Sequence, residues 1–239
     1  MYKGSYIAMT GAVLRRQELD NVANNLANAS TTGYKKTSFS SRLYPLMEGT
    51  SQSQSSLYPD ARAMSYYGAY SIDTSEGNVK TTGNPLDIAL RGEGFLAVQG
   101  EGEILYTRNG ALSMDKEGFI TTGNGMKVLD TNNRPIRIEG SSVTIHADGT
   151  VYADANQAGR LKLVALAGIQ HAGNSLFSGN ENGAAKAEVV QGSIEMSNVN
   201  PVSELVGLIS ALREYEAAQK IIQNFQDLSQ KTVSELPRV

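Results

Sequence analysis

The chain has 239 residues, with 21 Lys and Arg against 24 Asp and Glu and a formal net charge of −3. This balance is too mild to indicate electrostatic capture of nucleic acid or of an anionic membrane. The sequence contains no cysteine, which excludes disulfides and thiolate metal sites. It has no apolar run of the length that a membrane-spanning helix needs, and its N-terminal residues do not follow the pattern of a cleaved secretory signal.

A helical pattern runs from about Tyr6 to Ala29. Small and branched apolar residues recur there at spacings of three and four, interrupted once by Arg15. The apolar positions are Ala8, Ala12, Leu19, Val22, Leu26 and Ala29. A face this narrow is typical of a coiled-coil contact. The helix is predicted to stop by Thr31–Gly33, where Gly33 can adopt a positive φ.

The middle of the chain follows a β pattern. Residues 71–190 contain short apolar runs separated by Gly, Asn, Asp and Pro, which predicts an antiparallel β domain. Hairpin turns are predicted at Asn109-Gly110, within MDKEGFI and within HADGTV. Residues 34–70 are rich in Ser, Gln and Tyr and lack periodicity, which predicts an extended linker or hairpin region.

The C-terminal segment, residues 191–239, is predicted to contain a strand and then a long helix. Asn200 is suited to the N-cap and Pro201 to the first helical position. A single apolar stripe is predicted to follow at Leu205, Leu208, Ile209, Leu212, Tyr215, Ala218, Ile222, Phe225 and Leu228. The predicted fold is therefore mainly β with long terminal helices. Its segments are a helical one at 1–33, the linker at 34–70, the β domain at 71–190 and the C-terminal segment.

Candidate chemistry is weak throughout the sequence. Gly92, Gly94 and Ala97 form a G-x-G-x-x-A pattern, but the β-rich residues that follow offer no helix N-terminus to a pyrophosphate. We interpret these glycines as turn residues and keep a dinucleotide-binding enzyme as a remote alternative. His146 and His171 lack nearby acidic partners and are expected on surface loops. No catalytic, cofactor or metal residue is predicted. A further alternative, a β-rich binding module, is not favoured, because such a module would have no reason to carry matching helices at both ends.

Three parts of the sequence resemble the flagellar rod and hook proteins. ANNLANASTTGYKK is similar to the N-terminal signature of that family, and QGSIEMSNVNPVSELVGLISALREYEAAQKII is similar to the C-terminal signature. GNPLDIALRGEGFLAV, YTRNGALSMDKEGFITTGNGMKVLD and GRLKLV resemble the shared β domain. The resemblance covers nearly the whole chain. Chain length, YTRNG and the short segment after Lys35 favour a proximal rod subunit, with a distal rod subunit as the alternative.

The resemblance implies a structural, non-enzymatic subunit of the basal-body rod, the shaft that transmits torque. Its terminal helices would pair as a coiled coil in an inner tube, with the β domain outside. The implied partners are copies of itself, the other proximal and distal rod proteins and the flagellar type III export apparatus. No cofactor, small-molecule substrate or nucleic acid is implied. The resemblance also implies a place in the periplasmic space after export without a cleaved signal.

The expected subunit contacts lie on the helices and in the N-terminal signature. They are Leu19, Val22, Asn24, Asn25, Leu26, Asn28, Gly33, Leu205, Leu208, Leu212, Tyr215 and Ile222. Asparagine is a middling helix former, so Asn24, Asn25 and Asn28 are predicted to hydrogen-bond across subunits and to fix register, as buried Asn does in coiled coils.

The terminal helices are expected to be wholly or partly disordered in the free subunit, because neither can bury its stripe alone. Circular dichroism of the dilute chain tests this expectation. A spectrum with both helices at full strength would contradict it.

Overall fold

The computed structural model describes residues 2–40, 42–45, 63–66, 70–100, 102–140, 142–154 and 156–235. It is mainly β, with one long helix near each end. Helix α1 is Tyr2–Ala27 and helix α2 is Pro201–Glu235, so α2 begins at the predicted residue. Within the described ranges, no helix has the length and hydropathy that crossing a membrane requires.

The described residues between the helices form seventeen strands. The first nine are β1 Thr37–Phe39, β2 Arg42–Pro45, β3 Ala63–Tyr66, β4 Tyr70–Ile72, β5 Val79–Thr81, β6 Ile88–Arg91, β7 Phe95–Gln99, β8 Ile104–Thr107 and β9 Leu112–Met114. The others are β10 Ile120–Thr122, β11 Val143–Ile145, β12 Thr150–Ala153, β13 Asn156–Arg160, β14 Leu163–Gly173, β15 Leu176–Ala184, β16 Glu188–Gln191 and β17 Ser193–Glu195.

The chain forms two compact units. The helical unit comprises Met1–Leu26, Ser38–Tyr70 and Pro201–Val239, and the β unit comprises Ala27–Thr37 and Ser71–Asn200. The β unit therefore includes the residues that directly follow α1 and those that directly precede α2. Within the predicted linker, β2 pairs antiparallel with β3, while residues 41, 46–62 and 67–69 lie outside the described part of the chain.

The β unit is antiparallel, as the turn rhythm predicted. Strands β14, β15, β8 and β7 close into a small barrel in that order. Strand β6 pairs with β16, β5 with β17 and β9 with β10, and β12 pairs with both β11 and β13. Aliphatic side chains such as Val98, Ile120, Val128 and Val151 fill the main core with no exposed surface. Burial of these apolar side chains is the main source of stability for the unit.

Two of the three predicted hairpin turns are confirmed. The Asp115 amide donates to the Phe119 carbonyl between β9 and β10, and the His146 amide donates to the Thr150 carbonyl between β11 and β12. The prediction at Asn109-Gly110 is wrong, because β8 pairs with β7 and β15 while β9 pairs with β10. Gly110 instead allows close packing: a Cβ there would lie 1.8 Å from the Ile88 carbonyl oxygen.

The glycines of the nucleotide-like pattern are turn residues. Gly92 and Gly94 have φ values of 97° and 156° and connect β6 to β7. A strand, Phe95–Gln99, follows Gly94 where a dinucleotide fold requires a helix. This arrangement rules out the dinucleotide-binding interpretation of the motif.

Helices α1 and α2 contact each other in antiparallel register within the helical unit. Asn25 Nδ2 donates to Glu204 Oε2 at 3.3 Å, and Arg15 Nε lies 2.7 Å from Glu214 Oε2. At the far end, a Cβ on Gly4 would meet the Phe225 ring at 2.6 Å. Each step back along α1 is matched by an equal step forward along α2.

The apolar residues of α2 lie on two faces, so the predicted single stripe is wrong. Leu208, Tyr215, Ala218, Ile222 and Phe225 are half-buried. Leu205, Ile209 and Leu212 are exposed, by 48%, 45% and 46%, and so is Leu228. A spacing of three or four residues does not separate these sets, because α2 carries apolar residues on more than half of its circumference.

Candidate assembly site

Three charged side chains meet in the interior of the β unit. Lys35 Nζ lies 2.6 Å from Glu195 Oε1, and Arg108 Nη1 lies 2.9 Å from Glu195 Oε2. All three side chains are only about 1% exposed. We call these residues the charge triad. It joins the segment after α1, the end of β8 and the end of β17.

Backbone groups add further hydrogen bonds to the charge triad. Lys35 Nζ also donates to the Ser75 carbonyl at 2.5 Å, and the Gly77 amide donates to Glu195 Oε1 at 2.9 Å. Arg108 Nη1 and Nη2 donate to the carbonyls of Leu90 and Gly92 at 3.0 and 2.5 Å. Buried charges are tolerated only with this degree of pairing.

The charge triad holds two cations and one anion. Burial lowers the pKa of the Lys35 ammonium below its ordinary value, while the hydrogen bond and the negative charge of Glu195 oppose that shift. The guanidinium carbon of Arg108 lies 5.6 Å from the centre of the Phe95 ring, a cation–π distance. Arg108 Nε is buried and has no hydrogen-bond acceptor among the described residues. Glu195 is thus the carboxylate that both cations share.

A second polar cluster fixes the same segments beside the charge triad. The Lys36 amide donates to Asn198 Oδ1 at 2.7 Å, and Asn198 Nδ2 donates to the Asp73 carbonyl at 2.9 Å. The Asp73 amide donates in turn to the Lys36 carbonyl at 2.8 Å. Hydrogen bonds from Ser75 hold the pKa of the Asp73 carboxyl below its ordinary value. The residues after α1 and before α2 are therefore joined through residues 73–75.

Gly33 brings the N-terminal segment close to this cluster. It has the predicted positive φ, 67°, and its amide donates to the Glu195 carbonyl at 2.8 Å. A Cβ at this position would lie 2.3 Å from the Asn109 amide nitrogen. Gly33 thus serves close packing inside the β unit. Helix α1 has already ended at Ala27, and a turn follows in which the Thr31 amide donates to the Asn28 carbonyl.

The prediction that His171 lies on a surface loop is wrong. His171 is half-buried in strand β14, stacked on Tyr34 at 5.4 Å and packed against Phe177 at 4.8 Å. Burial lowers its pKa from the ordinary 6.5, opposed by a hydrogen bond with the Lys35 backbone. Its Nε2 is buried without a hydrogen-bond partner among the described residues. His146 lies at a turn and is exposed, as predicted.

Exposed apolar side chains lie at opposite ends of the helix pair. The α1 patch is Tyr6, Met9 and Val13, each more than half exposed. The α2 patch is Val202, Leu205, Val206, Ile209 and Leu212, with exposures from 45% to 70%. The antiparallel register places the α1 patch beside the C-terminal half of α2 and the α2 patch beside the C-terminal half of α1.

The predicted contact residues fall into three environments. Leu205 and Leu212 belong to the α2 patch, and Asn24 is exposed on α1. Leu19, Val22, Leu26, Asn28, Leu208, Tyr215 and Ile222 are half-buried. Asn25 and Gly33 are buried.

Asn25 and Asn28 make hydrogen bonds within the chain, Asn25 with Glu204 and Asn28 with the Thr31 hydroxyl. Their contacts with other subunits stay a prediction, as do those of Asn24.

Family models match three separate parts of the chain. Residues 6–35 match the flagella basal body rod protein model, residues 89–153 match the flagellar hook protein FlgE/F/G D1 domain, and residues 190–235 match the flagellar basal body rod FlgEFG protein C-terminal model. Each part contributes one member of the charge triad: Lys35, Arg108 and Glu195 in turn.

Whole-chain relatives decide the family. The chain is 33% identical to the flagellar basal-body rod protein FlgF of Caulobacter vibrioides over 98% of each chain. The chain belongs to the flagellar basal-body rod protein family. It is also 35% identical to FlgF of Escherichia coli over 93% of each chain, and 31% identical to FlgG of Agrobacterium fabrum over 93% of this chain and 95% of the relative. Rod proteins of both kinds are thus similar to this chain.

The site residues that sequence reasoning missed are the members of the charge triad. Lys35 and Glu195 stand within the family signatures and Arg108 within YTRNG, yet none was predicted as a site residue. The available signal was local: Arg108 follows the apolar strand ILYT, and Glu195 ends the short strand SIE. Charged residues next to core strands often reach water instead, so only the three-dimensional pairing distinguishes them.

Glu195→Gln is expected to destabilise the β unit strongly. Removing the shared charge leaves Lys35 and Arg108 buried without a counter-ion, which typically costs about 3–5 kcal/mol. Urea unfolding of the variant, followed by circular dichroism, measures the change. The matched control is Glu188→Gln at an exposed position on β16, expected within about 0.5 kcal/mol of wild type. Equal stabilities for the two variants would contradict the role of the charge triad.

Gly33→Ala is expected to destabilise the chain more than Gly83→Ala. Both glycines have a positive φ, 67° and 77°, so both variants carry backbone strain of about 1–2 kcal/mol. Only Gly33 faces a clash, because the space around a Cβ on Gly83 is open. Overpacking of this kind costs about a further 1–3 kcal/mol. Equal unfolding temperatures for the two variants would show that the close approach of Gly33 to the Asn109 backbone does not limit the side chain at position 33.

His171 is expected to make stability pH-dependent. Its folded-state pKa lies below the ordinary 6.5, so the unfolded chain takes up the proton first. The contribution of His171 is therefore fully present above about pH 6.5 and is lost as the pH falls from there towards the folded-state pKa. Urea unfolding at about pH 7.5 and about pH 5.5 should show a larger loss in wild type than in His171→Gln. His146→Gln, altered at an exposed histidine, should retain the full wild-type loss.

Proposed function

We propose that this chain is a structural subunit of the proximal rod of the flagellar basal body. It polymerises with copies of itself and with neighbouring rod proteins, and the assembled shaft transmits torque. The observation that carries this proposal is the pair of exposed apolar patches on the terminal helices. Contiguous exposed apolar side chains mark interaction surfaces, and family membership supplies the kind of partner.

The arrangement of the patches supports head-to-tail growth. The α1 patch and the α2 patch differ in sequence and lie at opposite ends of the helix pair, so a contact between them joins unlike surfaces of two copies. Contacts of that kind generate open helical assemblies when the rotation does not close a ring. A rod is such an assembly.

The proposal includes coiled-coil pairing of α1 and α2 as the element of the inner tube. The register of the buried Asn25–Glu204 hydrogen bond and the Arg15–Glu214 ion pair supports it. A buried polar contact of this kind specifies register in coiled coils at some cost in stability. Small residues such as Ala12 and Ala211, both almost fully buried, favour a close approach of the two helices.

A proximal position is proposed over a distal one. Identity is 33% and 35% to the FlgF proteins of Caulobacter vibrioides and Escherichia coli and 31% to the FlgG protein of Agrobacterium fabrum, and this difference supports the proximal position. Export by the flagellar type III apparatus to the periplasmic space, without a cleaved signal, is part of the proposal on the strength of the resemblance. No enzymatic role is proposed.

Leu212→Asp is expected to block incorporation while the β unit stays folded. The new carboxylate would be buried without a partner at the subunit contact, which is strongly unfavourable. The measurement is co-purification of the tagged chain with basal bodies from a strain that lacks its own copy. The control is Met114→Asp, altered at a 48% exposed residue of the β unit, which should co-purify as wild type does.

Incorporation of Leu212→Asp at the wild-type level would contradict the assignment of the α2 patch.

Immunogold labelling of the same basal bodies tests the position along the shaft. Label at the membrane-proximal end is expected, and label at the hook end would favour the distal alternative.

A further inference from the structure

The chemistry of the α1 patch suggests how assembly could be regulated. The chain contains no cysteine and no tryptophan but has seven methionines. The thioether of methionine is therefore the group in this chain that peroxides oxidise most readily. Met9 and Met114 are the exposed methionines among the side chains that the structure describes, at 58% and 48%. Met126 and Met196 are half-buried.

Met9 lies at the centre of the α1 patch. Tyr6 and Val13, three residues before and four after, are 54% and 51% exposed on the same face of the helix. With 58% of its surface exposed, Met9 is open to solvent in a free subunit.

We propose that Met9 is an oxidation site at which peroxides reversibly switch off incorporation of the subunit. This inference rests on the proposed function, in which a second copy of the chain covers the α1 patch with its α2 patch. The peroxide transfers one oxygen atom to Met9 Sδ. The sulfur is oxidised to a sulfoxide, the O–O bond breaks, and hydrogen peroxide is reduced to water.

The product changes the patch from apolar to polar. A sulfoxide oxygen is a strong hydrogen-bond acceptor, and the aliphatic α2 patch offers it no side-chain donor, so burial against that patch is disfavoured. In an assembled shaft the same thioether would be covered and protected. Methionine sulfoxide reductases restore the thioether, which makes the change reversible.

The test compares four samples of the full chain by sedimentation over a range of concentrations. They are untreated wild type, and wild type, Met9→Leu and Met114→Leu after treatment with hydrogen peroxide followed by catalase. Peptide mass spectrometry confirms the sulfoxide at Met9. We expect treated wild type and treated Met114→Leu to need at least about tenfold higher concentration for half-association. Treated Met9→Leu should match the untreated chain, and a methionine sulfoxide reductase should restore treated wild type.

Two results would overturn this inference alone. One is treated wild type that associates as untreated wild type does. The other is Met9→Leu that loses association on treatment, because another methionine would then carry the effect. If untreated wild type stays monomeric at every concentration, the proposed contact between copies is itself overturned, and the role of Met9 falls with it.

Discussion

The carboxylate of Glu195 is the constraint on which the β unit depends. It is buried, and it accepts hydrogen bonds from Lys35, Arg108 and the Gly77 amide. These groups come from distant parts of the sequence, and the three charged residues come from the three separately matched family segments. A charge buried this deeply is costly unless every partner is in place. The pairing with Glu195 therefore holds the segments that follow α1 and precede α2 in one arrangement. Any other arrangement would lose most of the stabilisation that these ion pairs and hydrogen bonds provide.

The two units differ in how much apolar surface they leave exposed. In the β unit, aliphatic cores and the charge triad leave little apolar surface unused. In the helical unit, the buried Asn25–Glu204 hydrogen bond sets register, while the α1 and α2 patches stay exposed. A subunit that must fold first and bind neighbours later needs this combination. Its β unit is complete in itself, and its helices retain the surface that assembly would bury.

Local sequence patterns predicted the elements well where one physical cause dominated. Asn200-Pro201 marked the start of α2 because proline suits a first helical turn. The hairpins at Asp115 and His146 followed from turn chemistry. Asn109-Gly110 failed because Gly110 is needed for close packing on Ile88, a requirement that turn statistics do not contain. The α2 stripe was predicted as one face because helical spacing alone does not show which apolar residues meet α1.

The candidate site was predicted in part, and the reason lies in sequence separation. Leu205 and Leu212 were visible in the helical periodicity and are exposed on α2, and their contacts with other subunits stay a prediction. Glu195 and Arg108 were missed because their burial arises from pairing between residues 87 positions apart. His171 was placed on a loop because GIQHAGNS resembles one, although His171 pairs with Phe177 between strands β14 and β15 and stacks on Tyr34. Pairing of charged side chains and of aromatic rings between distant residues produces no periodic pattern in the sequence.

Hydrogen–deuterium exchange of the free subunit tests the central claim most directly, namely that the charge triad makes the segment after α1 part of the β unit. The amides of Gly33 and Lys36 donate to Glu195 and Asn198, so they should exchange as slowly as core amides such as those of Ile120 and Val128. The amides of α1, outside that unit, should exchange much faster. Exchange of Gly33 and Lys36 at the rate of α1, well ahead of the β core, would contradict the account.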